Sequence, residues 1–108
     1  MLIQLTDPIS DNGLDGGNYT HAKVTKMRAE FEEPGWMSAM VIAGRLVDGA
    51  WIPAKVFSPG NAWQINIRVS DFSTLSATAM QAGNFGDILE RGLLQWAIDH
   101  NGPQGTIV

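Results

Sequence analysis

Ile88, Leu89, Gly92, Leu93, Trp96 and Ala97 recur at three- and four-residue spacing, so a helix over this stretch carries one continuous apolar stripe. Such a helix cannot stand alone in water. It needs an apolar surface to cover, and what precedes it in the chain reads as strands. Asn84 is placed to cap its start and Asp87 falls in the first turn, where a carboxylate suits the helix dipole. Asn101-Gly102-Pro103 supplies the stop. On this pattern Trp96 is a core residue, whose truncation to Ala costs about 3 to 5 kcal/mol.

The clearest strand is the run in which Trp63, Ile65, Ile67 and Val69 alternate with Gln64, Asn66, Arg68 and Ser70. One face is for the core and the other for water or a partner. Leu2, Ile3 and Leu5 read as a first short strand ended by Asp7-Pro8. Ser10 to Asn18 is a loop of turn-forming residues. From Tyr19 to Glu32 the alternation changes phase, with Ala22 and Val24 on one parity and Met27, Ala29 and Phe31 on the other. A bulge near Thr25 and Lys26 reconciles the two halves, since a one-residue slip flips every side chain.

Glu33-Pro34-Gly35 makes a turn into Trp36 to Val47, which is apolar on both parities and reads as a central strand covered on both sides. Asp48-Gly49 is a hairpin turn into Trp51-Ile52-Pro53. Pro53 puts that returning strand at an edge or interrupts it. Ser58 to Asn61 is a further turn, and Asp71 to Ala82 suits a strand or a short helix equally, ended by Gly83.

With 108 residues and no repeat or linker, the chain is expected to be a single domain over 1–108. The expected class is α+β: a mainly antiparallel β-sheet or small sandwich with one C-terminal amphipathic helix packed on it. Four tryptophans among 44% hydrophobic residues argue against disorder. A net charge of −4 argues against a partner held by phosphate contacts, and Lys23, Lys26 and Arg28 are answered at once by Glu30, Glu32 and Glu33. The expectation is therefore no nucleic-acid partner. Met1 to Pro8 reads as strand rather than as a signal peptide or a membrane span.

Chemistry is sparse. The absence of cysteine removes disulfides, thiolate metal sites and cysteine nucleophiles. Of the two histidines, His100 sits where a helix dipole stabilises a cation, and His21 lies in a strand. Neither a Gly-x-Ser-x-Gly elbow nor a phosphate loop occurs. The loop bearing Asp11, Asp15 and Asn18 has the oxygen-rich look of a cation site but fails the EF-hand spacing at Gly13. An enzyme built from Asp11, Asp15, His21 and the Glu30 to Glu33 cluster would need a metal. The reading is instead of a non-enzyme with no cofactor, no bound metal and no small-molecule substrate.

Tryptophan is enriched at the anchor points of protein interfaces, and Trp36 and Trp51 both lie near hairpin ends. With Pro53 at an edge and a tail Thr106-Ile107-Val108 able to add to a neighbour's sheet, they are the candidate partner contacts. A strand-rich body, a glycine-rich first loop and a C-terminal helix closing in Trp96-Ala-Ile-Asp-His-Asn-Gly-Pro-Gln-Gly-Thr-Ile-Val108 resembles small structural proteins of tailed bacteriophages, capsid-associated or of the tail and baseplate. That resemblance implies a virion part made in the host cytoplasm, oligomeric and bound to other virion proteins, with no membrane. The competing expectation is a small monomeric protein-binding module or inhibitor acting on a cellular target.

Overall fold

A computed structural model describes residues 1–10, 18–54, 61–71 and 85–108. Six strands and one long helix follow in the order β1 (Ile3–Ser10), β2 (Asn18–Glu30), β3 (Trp36–Val47), β4 (Ala50–Pro53), β5 (Ala62–Arg68), α1 (Phe85–Asp99) and β6 (Gly105–Ile107). All strand pairings are antiparallel and belong to one sheet ordered β4-β3-β2-β1-β6, with β5 also paired to β3. The protein is thus mostly antiparallel sheet with a helix, as the α+β pattern predicts. The expected segments 10–18 and 58–61, the stretch beyond Asp71 and the Asn84 cap lie wholly or largely outside the described residues.

The turn chemistry acts as its residues dictate. Asp48 and Gly49 both take positive φ, 52° and 81°, which is the backbone of a two-residue hairpin turn matched to strand twist. Gly35, at φ 66°, closes the β2–β3 turn by donating its N–H to the Glu32 carbonyl at 2.6 Å. The expected bulge is present: the β2–β3 register shifts between Val24 and Lys26, so Ala22 and Val24 share a face with Met27 and Ala29. β2 nonetheless ends at Glu30, and Phe31 is 78% exposed rather than on the apolar face.

β4 and β5 lie end to end along one edge of β3. β4 pairs Gly44 to Val47, and β5 pairs Trp36 to Ile42. Ala43 is the joint, accepting from the Ala54 N–H at 2.9 Å and donating to the Asn61 carbonyl at 2.8 Å. Pro53, opposite Gly44, occupies an outer strand as expected. Gly44 has a packing reason as well, since a Cβ there would strike the Ile52 carbonyl and sit 2.6 Å from Cη2 of Trp51.

The main core joins Ile3, Leu5, Ala22, Ala39, Val41, Ile65 and Ile67 of the sheet with Leu93, Leu94 and Ala97 of α1. A second cluster of Tyr19, Ile42, Ala43 and Ala54 lies at the β4 end. The helix stops in a Schellman cap: Asn101 takes φ 63° and the Gly102 N–H reaches the Ala97 carbonyl at 2.7 Å. Gln104 Nε2 donates to the Ile98 carbonyl at 2.8 Å, pairing another terminal acceptor.

Four expectations need correction. β1 runs through Pro8 to Ser10 instead of ending there. The β1–β2 register breaks between Gln4 and Ile9, and β6 reaches only Leu5 on the other side, so no ladder bond is asked of the missing N–H. Trp96 is half-buried and stacked on His100, with ring centroids 3.7 Å apart, and Trp63 is likewise half-buried. Both pack against the main core from its margin, and Leu94, off the expected stripe, is fully buried within it. β3 is covered on both sides only around Val41 to Gly44, whereas Trp36, Leu46 and Val47 are exposed. The tail that could join a neighbour's sheet pairs as β6 with β1 of its own chain, Val108 N–H donating to the Leu2 carbonyl at 2.8 Å.

Two substitutions test this packing by urea denaturation. Leu94→Ala is expected to cost about 2 to 5 kcal/mol, more than Trp96→Ala at its half-open site. Gly44→Ala is expected to cost about 1 to 3 kcal/mol, because strand β4 must move to admit the methyl.

Candidate interaction face

Residues directly opposite in an antiparallel ladder point to the same side of the sheet. On the side away from the main core, the register aligns three cross-strand rows over β2, β3 and β5: Lys26, Met40 and Gln64; Arg28, Ser38 and Asn66; Glu30, Trp36 and Arg68. These side chains form a platform. At ordinary strand spacings it measures about 14 Å along the strands and about 10 Å across them, before side-chain reach. Beyond its inner end the row containing Ile42 is closed over by Tyr19 and Ala54.

The platform is not flat. Trp36 is 42% exposed and stands up at one end, with the Arg68 guanidinium 5.5 Å from its ring centroid. Two shallow hollows of about 450 Å³ each flank the Arg28–Ser38 row, one against Trp36 and Asn66 and the other against Met40 and Gln64. Ser38 is small, and its size leaves room for both. Arg28 and Glu30 are 3.1 Å apart, but their side chains are 80% and 64% exposed, so water screens the pair.

Three cations face one carboxylate here, in a chain of net charge −4, so the remainder of the molecule carries a net −6. A tryptophan, an arginine pair, a methionine and two amides form the composition found at protein-contact surfaces, where apolar contact and adaptable hydrogen bonds are both needed. Nothing in the platform supplies a nucleophile with a base.

The candidate contacts are not one patch. Trp36 and Trp51 belong to opposite ends of β3, since Trp51 pairs with Leu46, about 34 Å from Trp36 at the strand rise. Trp51 is half-buried over Gly44. Pro53 is exposed on β4. Thr106 is exposed, Ile107 packs on the main core and Val108 is 57% exposed, all beyond β1. Only Trp36 lies on the platform. Its companions Lys26, Arg28, Gln64, Asn66 and Arg68 were visible in sequence only as the polar phases of two separate strands.

The two histidines make local contacts within their own elements. His100 Nδ1 donates to the Trp96 carbonyl at 2.9 Å, at the helix terminus. His21 Nδ1 lies 2.8 Å from the Thr20 hydroxyl oxygen. Among the described residues no three His, Asp or Glu side chains are grouped to hold a metal ion, and no helix is long and apolar enough to cross a membrane. Asp11 and Asp15 lie outside the described residues. Comparison with protein-family models, curated proteins and solved structures finds no match.

Because Trp36 and Arg68 are both exposed and meet in a cation–π contact at the surface, Trp36→Ala and Arg68→Ala are expected to lower stability by no more than about 1 kcal/mol each. Urea titration followed by far-UV circular dichroism checks this. A larger loss would mean that the platform is part of the core.

Proposed function

We propose that this chain is a non-enzymatic structural protein of a bacteriophage virion, capsid-associated or in the tail or baseplate, acting through protein–protein contacts. The observation that carries the reading is the platform around Trp36, an aromatic and cationic surface that the described part of the fold leaves open. A tryptophan held at a sheet surface between Arg and amide side chains contributes little to its own fold, yet it anchors a contact well. In this reading α1 packs on the opposite side of the sheet, where Leu93, Leu94 and Ala97 join the core, and so does not cover the platform. Trp51, Pro53, Thr106 and Val108 lie at the sheet's two ends and serve as peripheral contacts to neighbouring virion proteins.

The virion assignment rests on the resemblance in the sequence, and the protein-contact assignment on the platform. Quantitative mass spectrometry of purified particles tests both. The expected result is the chain at a fixed copy number per particle, with Trp36→Ala reducing incorporation by more than about tenfold, as loss of an anchor worth some 2 kcal/mol requires. Absence from particles, together with a stable 1:1 complex with a host protein, would favour the monomeric inhibitor instead.

A further inference from the structure

We infer that the platform is a two-fold interface between copies of this chain, each placing Trp36 at the edge of the hollow beside Ser38 of the other. The inference rests on the reading of the chain as an assembly protein, and it names the first partner as the chain itself. Its basis is the order of charges along β2 and the turn that follows. Lys23, Lys26 and Arg28 come first, then Glu30, and then Glu32 and Glu33, exposed in the turn. Along β2 and its turn the face is therefore electrically bipolar, cationic toward the core end and acidic at the tip, while Arg68 stands on β5 beside Trp36.

A bipolar face is its own complement when turned through 180°. With a two-fold axis near Ala29 and Met37, which pair across β2 and β3, Arg28 of each copy faces Glu30 of the other and Lys26 faces Glu32. The same rotation carries the Trp36 row onto the Ser38 row, which borders the hollow of about 450 Å³. The projecting ring thus meets the edge of that hollow in the arrangement that also pairs the charges. Shape and charge select one arrangement. Trp36 then sits near the centre and the ion pairs at the rim, as in well-packed protein contacts.

Other occupants fit less well. A phosphate polymer would have to pass Glu30 and the Glu32–Glu33 tip, which repel it. An unrelated acidic protein would leave the acidic half of the hairpin unanswered. A second copy answers both halves. The platform is smaller than the surface a stable interface buries, so the contact is expected to be a weak, concentration-dependent equilibrium that weakens further with salt.

Charge reversal in two halves provides the test. Lys26→Glu with Arg28→Glu makes the hairpin predominantly acidic, with Lys23 its remaining cation, and Glu32→Lys with Glu33→Lys makes it predominantly basic. All four positions are exposed, so both variants should keep the wild-type circular dichroism spectrum and melting temperature. Sedimentation equilibrium should show wild-type dimers, with each variant alone weakened at least tenfold, the minimum expected when like charges oppose one another. An equimolar mixture of the two should regain a 1:1 dimer. The inference is overturned if wild-type protein stays monomeric at every concentration, if its dimer ignores the reversals, or if the mixture does not associate. A monomer still incorporated into particles through Trp36 would remove the inference and leave the virion reading standing; a charge-dependent dimer absent from particles would do the reverse.

Discussion

A buried strand must find partners for the backbone groups on both of its edges, and β3 is the strand on which this demand falls hardest. It is twelve residues long and fully buried from Val41 to Gly44. An unpaired N–H or C=O there would cost about as much as a lost hydrogen bond. β2 lies along one edge of β3, and the other is shared by β5 and β4. β1 then attaches to the far side of β2, and β6 to the far side of β1. Most of the architecture follows from supplying partners to one long apolar strand, and the two turns that border it, at Gly35 and at Asp48-Gly49, set the direction of its neighbours.

What the sequence disclosed depended on whether the deciding interaction was local. Turn residues with positive φ, the phase change at Thr25 and the alternation from Trp63 are decided within a few residues, and they were legible. Pro8 was misleading because its missing N–H matters only if a ladder bond is demanded there, which depends on how far β6 extends. Leu94 joined the stripe and Trp96 fell to its margin because helix periodicity leaves the direction of a stripe loose by about one residue. The tail was read correctly as able to add a strand, but the nearest available edge was its own β1.

The platform was illegible for a different reason. Apart from Trp36, already a candidate contact, and Met40, assigned to a covered strand, its members looked like ordinary solvent-facing residues of their own strands. Lys26, Ser38 and Gln64 acquire meaning only when β2 and β5 are set on either side of β3 in the observed register. The bulge at Thr25 contributes to this. It realigns β2 so that Lys26 and Arg28, rather than Met27, share a side with Trp36. An irregularity that preserves the core on one side therefore assembles a cationic and aromatic surface on the other.

Ala43 bonds through its carbonyl to Ala54 and through its N–H to Asn61, so β4 and β5 become one continuous edge at a single residue of β3. Two short strands together do for β3 what one long strand does on its other side. Because both are held at the same residue, a change that displaces Ala43 disturbs β4 and β5 at once.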